Sequence, residues 1–128
     1  MFRGDLYFLS NMYPHPIEHN GLVFSCVEAA FQASKCPGRE SEFVGIDGFE
    51  AKRRGRKVKL RDDWEKRKVG FMLFWLRKKF ADGGMKKRLV GVKGPLVEEN
   101  DWGDRYWGVC GGVGENMLGR LLEQVRSE

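Results

Sequence analysis

One stretch sets the terms for the rest of the chain. In Asp62–Gly84, DDWEKRKVGFMLFWLRKKFADGG, the apolar residues Val69, Met72, Leu73, Leu76 and Phe80 fall at i, i+3, i+4, i+7 and i+11, which is helical spacing. Phe71, Phe74 and Trp75 widen that stripe until it nearly encircles the helix. A helix apolar on every side is stable only inside a core. The spacing therefore predicts a central helix, capped by Asp62 or Asp63 and ended by Gly83-Gly84.

The remaining elements are short. LYFLSNMYP, apolar and then punctuated by Asn11 and Pro14, predicts a short strand or extended segment entering a turn. In EHNGLVFS, Asn20-Gly21 precedes an apolar run, the mark of a turn feeding a strand. SCVEAAFQASK opens a helix, and PGRESEFVGIDG reads as loop. FEAKRRGRK predicts a short helix with Asp47 near its start and Gly55 near its end. MKKRLVGV predicts another helix, PLVEE and RYWGV short strands, and ENMLGRLLEQVR a closing helix with Met117, Leu118, Leu121, Leu122 and Val125 facing inward. The sum is a compact, predominantly helical α+β domain spanning residues 1–128, a length that one hydrophobic core can serve.

Composition excludes several classes. Hydrophobic residues make up 41% of the chain and charged residues 32%, which suits neither a membrane protein nor a disordered one. No apolar run approaches the ~20 residues of a spanning helix, and MFRGDLYFLS lacks the pattern of a signal peptide, so the expected location is the cytoplasm. Cys26, Cys36 and Cys110 are odd in number and lack C-x-x-C spacing, which argues for free thiols rather than a disulfide scaffold or zinc knuckle. The net charge of +5 is concentrated in KRRGRKVKLR, Lys52–Arg61, where seven of ten residues are basic. Such a run attracts phosphate, or is simply a solvated face.

Three segments offer chemistry. On the opening helix, Glu28, Gln32 and Lys35 fall at i, i+4 and i+7, a polar stripe beside the apolar stripe of Val27, Ala30, Phe31 and Ser34. Ser25 with Glu28 three residues later is also a capping box, so the glutamate has a structural reading too. HPIEH, His15–His19, matches H-x-x-E-H, a metal-binding pattern that needs both histidines on one helix face. Pro14, Pro16 and Asn20-Gly21 break such a helix and no third histidine exists, so no metal is expected. DRYWGVCGGVGENMLG suggests either a phosphate-cradling loop or a tight turn before a helix.

Taken in order, FLSNMYP, VEAAFQASK, AKRRGRKV followed by Trp64, KKF, LVE, DRYWG and GENMLGRLLEQVR resemble the NADAR (YbiA-like) family from about Phe8 to Arg126. Met12, where the family usually has an aromatic, and the glycine-rich GVCGGVGEN are departures, and neither removes a polar motif residue. The resemblance implies an N-glycosidase cleaving a ribose C1–nitrogen bond; from the histidines and cysteines themselves, no metal or cofactor is expected. Its substrate would be a ribosylamino-pyrimidine phosphate of riboflavin biosynthesis, or ADP-ribose attached to guanine in nucleotides, DNA or RNA. It also implies catalytic roles for Glu28 and Lys35. Substrate-binding roles would fall to Ser10, Asn11, Gln32, Arg53, Arg54, Arg56, Asp104, Trp107 and Asn116.

The chemistry suits that stripe. Breaking a ribose C–N bond develops positive charge at C1, which a carboxylate stabilises while handling a proton. A lysine beside a core has its pKa lowered by desolvation and can attack C1 as an amine. Two rivals remain: a basic nucleic-acid-binding module without catalysis, and a non-catalytic ADP-ribose or nucleotide sensor. The first accounts for residues 52–61 but not for a carboxylate and a lysine placed together on the opening helix.

Overall fold

The structure, a computed structural model, describes residues 1–128. Its contacts group into two compact units, one of residues 11–79 and the other of residues 1–10 and 80–128. The fold class is α+β and predominantly helical, as the sequence predicts.

In residues 11–79, β1 (Ile17–His19) and β2 (Leu22–Phe24) form an antiparallel hairpin in which Ile17 faces Phe24. Asn20 and Gly21 turn it with positive φ at both positions, the geometry a two-residue hairpin loop requires. α1 (Val27–Ala33) follows, and all seven of its residues are buried. Ser34 ends it by donating its hydroxyl back to Ala30 O, and Pro37 prevents resumption. α2 (Gly48–Gly55) starts at Asp47, whose carboxylate accepts Glu50 N–H at 2.8 Å, and it presents Gly48, Ala51 and Gly55 inward. α3 (Trp64–Phe80) is the long aromatic helix.

α3 departs from expectation. It is not buried all round: Trp64, Met72, Trp75 and Leu76 are buried, whereas Phe74 is 41% exposed. Edge-on contacts among His19, Phe74 and Trp75 account for the aromatic excess, because these rings pack along a flank rather than within a closed core. Nor do Gly83-Gly84 end it. α3 stops at Phe80, and the glycines open α4 (Gly83–Gly91), whose first turn is capped by Asp82 accepting Met85 N–H at 3.0 Å.

In the other unit, residues 4–9 form a 3-10 turn where an extended segment was expected. Gly4, at φ +60°, opens it. β3 (Glu99–Asn100) pairs in parallel with β4 (Val109–Cys110), and α5 (Met117–Ser127) buries Leu118, Leu121, Leu122 and Val125. Asn116 ties the loop before α5 to the β3 segment. Its Oδ1 accepts Glu98 N–H at 2.9 Å and its Nδ2 donates to Leu96 O at 2.8 Å, on a left-handed backbone at φ +51°. A Cβ on Gly119 would overlap both Leu96 O and that amide, so the clasp is tight.

Asn116→Ala loses both hydrogen bonds and strains the backbone, at a cost of about 2–4 kcal/mol. Thermal melting should fall by roughly 10 °C. Asn116→Gly relieves the strain but not the lost bonds, so it should melt between the alanine variant and the parent. A melting temperature for Asn116→Ala equal to the parent's would refute the clasp.

Candidate active site

The polar stripe begins with a correction. Ser25 does not cap α1: its hydroxyl donates to Ile46 O at 2.5 Å, and Cys26 occupies the cap position without a side-chain bond. Glu28 N–H is taken by Asn11 O at 3.0 Å. The capping box is therefore absent, and Glu28 has no part in one.

The Glu28 carboxylate instead turns along the helix. Gln32 Nε2 donates to its Oε1 at 2.8 Å, one turn on, with Glu28 8% and Gln32 4% exposed. Burying a carboxylate is costly unless polar partners receive it. Here the partner is fixed in turn by packing. Gln32 Oε1 lies against Gly55 of α2, where a Cβ would overlap it, and Gly48 lies against the Glu28 Cβ. Without side chains at Gly48 and Gly55, α2 comes close enough to α1 to hold both polar groups in place.

Two buried carboxamide oxygens here have no protein donor, Gln32 Oε1 and Asn11 Oδ1. Gln32 Oε1 is closed off by Gly55. Asn11 sends its Nδ2 towards Met72 Sδ at 3.4 Å, a weak acceptor, while its backbone holds Glu28. Asn11 Oδ1 is thus a buried acceptor without a protein donor.

Lys35 completes the stripe, though not on the helix. α1 ends at Ala33, and Lys35 N–H bonds to Gln32 O at 3.1 Å in the tighter turn that follows. Arg61 N–H bonds to Lys35 O at 2.9 Å and fixes that turn. The lysine is half-buried, with Nζ 5.7 Å from the centre of the Trp64 ring. Burial lowers its pKa from the ordinary lysine value; the charge of Glu28 opposes that shift, and Arg56 and Lys52 reinforce it.

The basic run divides sharply. Arg53 Nε and Arg54 Nε bond to Glu50 at 3.1 and 3.2 Å, and Arg54 Nη1 also donates to Glu42 O at 2.7 Å. Those two arginines are tied along the outer side of α2. Arg56 and Lys52 are the cations whose charge reaches Lys35. Lys52 was not singled out in the sequence. Its signal was available, because it sits one turn before Arg56 on the same edge of α2.

Ser10, Asp104, Trp107 and Asn116 belong to the other unit. Ser10 is buried. Asp104 Oδ1 accepts the N–H groups of Tyr106 and Trp107, each at 3.0 Å, and Trp107 meets Tyr106 edge-on at 5.0 Å. Both ends of the Asn116 amide are spent on the backbone. His15 and His19 flank and end β1 rather than sharing a helix face, and the His19 ring packs against Phe74 and Trp75.

A cavity of about 190 Å³ opens on the opposite face of α1, lined by Ala30, Ala33 and Ser34 together with Phe71 and Trp75. It does not include the stripe. Its hydroxyl is already engaged, with Ser34 accepting Trp75 Nε1–H at 2.8 Å.

The profile of the NADAR domain matches residues 2–128. The chain belongs to the NADAR family. N-glycosidase YbiA of Escherichia coli is 35% identical over 93% of this chain and 79% of its own length. A riboflavin biosynthesis protein of Vibrio vulnificus is 32% identical over 94% of this chain, and one of Zea mays, PYRR, is 31% identical over 93%. The chain spans only 35% and 23% of those two longer proteins. The NMR structure of E. coli YbiA superposes with a TM-score of 0.85 at 32% identity, covering 99% of this chain and 80% of that one.

Gly55→Ala should keep the fold, since alanine favours the helix and Gln32 can give way. Displacing Gln32 leaves the buried Glu28 carboxylate without that donor, so thermal melting should fall by roughly 5 °C. An unchanged melting temperature would show that Gly55 does not set the position of Gln32.

Proposed function

We propose that the chain is an N-glycosidase that hydrolyses a bond between ribose C1 and nitrogen in a phosphorylated substrate. The observation that carries the reading is the buried Glu28, bonded by Gln32, in the electrostatic reach of the half-buried Lys35. Membership of the NADAR family and the printed name of the YbiA relatives support it. The riboflavin biosynthesis relatives support a ribosylamino-pyrimidine phosphate as substrate. ADP-ribose carried on guanine, free or in nucleic acid, is the second reading, and the basic Lys52–Arg61 segment favours it.

In this mechanism the C1–N bond breaks with its electron pair going to nitrogen, which takes a proton delivered through Glu28. The Glu28 carboxylate then faces the positive charge at C1. The neutral Lys35 amine bonds to C1 and passes one proton to the ring oxygen as the C1–O bond opens; water hydrolyses the resulting protonated imine to the ribose aldehyde and frees the lysine as its ammonium, whose extra proton replaces the one that Glu28 delivered. Asn11 holds the backbone of Glu28 and Gln32 orients its carboxylate. Arg56 receives phosphate, whereas Arg53 and Arg54 shape the basic field from the outer side of α2. No metal or cofactor takes part.

Glu28→Gln should leave the fold intact and lower kcat by about 10²–10⁴-fold. Lys35→Ala should lose a comparable factor, and borohydride added during turnover should trap a sugar adduct on the parent but not on this variant. Mass spectrometry of products from a ribosylamino-pyrimidine phosphate and from ADP-ribosylated guanosine reads out both activity and substrate. Near-full activity in Glu28→Gln would overturn the assignment.

Arg56→Ala should raise KM more than Arg54→Ala does, because only Arg56 lies on the side of Lys35. Equal effects would argue that the whole basic run acts as a diffuse field.

The pH dependence follows from the lysine. A lowered pKa increases the neutral amine as pH rises through it, so kcat should climb to a plateau below the ordinary lysine range. Glu28 holds that pKa up, so the residual activity of Glu28→Gln should show the limb displaced to lower pH. A limb displaced upward would contradict the electrostatics.

A further inference from the structure

No salt bridge or hydrogen bond within the chain holds Lys35 Nζ. The group it lies over is the Trp64 ring, whose centre is 5.7 Å away. That separation is within the ~6 Å reach of a cation–π contact, for which tryptophan is the strongest partner. Beyond burial, the influences on this half-buried amine are Glu28 on α1, Arg56 and Lys52 on α2, and the Cys36 thiol beside it.

The ring is fixed by packing and by backbone. Trp64 is 7% exposed, tilted against Phe31 of α1 at 5.1 Å and stacked nearly parallel on Phe71 at 6.0 Å, two turns along α3. Arg61 and Arg67 lie over that Phe71 ring, at 4.9 and 5.1 Å. Arg61 N–H bonds to Lys35 O at 2.9 Å, and Trp64 N–H bonds to Arg61 O at 3.2 Å. The turn that carries the lysine and the residue that carries the ring are therefore tied to one short segment.

A buried tryptophan has a plain structural use as a filler of the core. Two effects of opposite sign separate that use from a second one. A wall of apolar atoms keeps water from an amine and favours its neutral form. The face of an indole attracts a cation and favours the charged form. Lys35 is an ammonium at the end of the proposed turnover and a protonated imine within it, so a cation-attracting face bears on both.

We propose that Trp64 is a positioning residue for Lys35, its ring face being the plate on which the ammonium and the protonated imine rest at the end of the polar stripe. This role rests on the N-glycosidase reading and deepens it. It gives Trp64 a part in turnover beyond filling the core.

Competitive labelling with acetic anhydride over a range of pH, read by mass spectrometry of the Lys35 peptide, tests the contact without substrate. The exposed Lys57 supplies the reference rate. The parent is compared with the same chain made with 5-fluorotryptophan, which withdraws charge from the ring face and keeps its shape. Fluorination should destabilise the ammonium, so at a fixed pH below the Lys35 pKa the labelling rate should rise about twofold. In Trp64→Phe the same fluorination should leave Lys35 unchanged, since Trp75, Trp102 and Trp107 are then the fluorinated rings. Trp64→Tyr serves as the control if the phenylalanine variant melts early. A tryptophan that only excludes water gives no response to fluorination, and that result, or an equal response in the control, overturns the proposal. Turnover of Lys35→Ala is measured separately. If it is lost while labelling ignores fluorination, Trp64 only packs and the N-glycosidase reading stands. If it persists while labelling responds, the contact stands and the catalytic assignment of the lysine is wrong.

Discussion

The hydrogen bond from Gln32 to Glu28 is the constraint around which residues 11–79 are arranged. A carboxylate with 8% exposure is tolerable only where its partners are fixed. Fixing Gln32 requires α2 at close range, which requires glycine at positions 48 and 55. Holding the first turn of α1 requires Asn11 O on Glu28 N–H, which places the Asn11 side chain beside the same group. A short helix of seven residues would be marginal on its own. Burial on every side supplies the stability that propensity and capping do not.

Charge is distributed with comparable economy. Of the cations between Lys52 and Arg61, Arg53 and Arg54 share the one carboxylate of Glu50, and Arg61 is paired with Asp63 at 2.5 Å. The field at Lys35 therefore comes from Arg56 and Lys52, opposed by Glu28. Burial and these two cations lower the Lys35 pKa against the opposing pull of Glu28.

Much of this was legible in the sequence, with uneven reliability. α2 could be read with its Asp47 cap because capping chemistry is local, and the Asn20-Gly21 hairpin because positive φ is. Glu28, Gln32 and Lys35 could be grouped because helical spacing is local too. The capping box could not be settled locally: Ser25 is drawn off by Ile46 O, a partner 21 residues away. The burial of α3 was overestimated for a similar reason, since aromatic content does not reveal that Phe74 packs edge-on along a flank. Which arginine faces the site depended on Glu50 and Glu42 O, and the use of Gly83-Gly84 depended on Asp82 starting a new helix.

α1 is bracketed by thiols. Cys26 stands at its start and Cys36 just beyond its end, both buried, and burial pushes both thiols up from their ordinary pKa. Neither is reactive while the helix is seated, because the thiolate is the reacting species and burial disfavours it. The two sulfurs therefore form a built-in gauge of local opening. Their rate of alkylation under native conditions reports how often α1 lifts from its bed, at its first turn through Cys26 and at the Lys35 turn through Cys36, without any label being introduced into the chain.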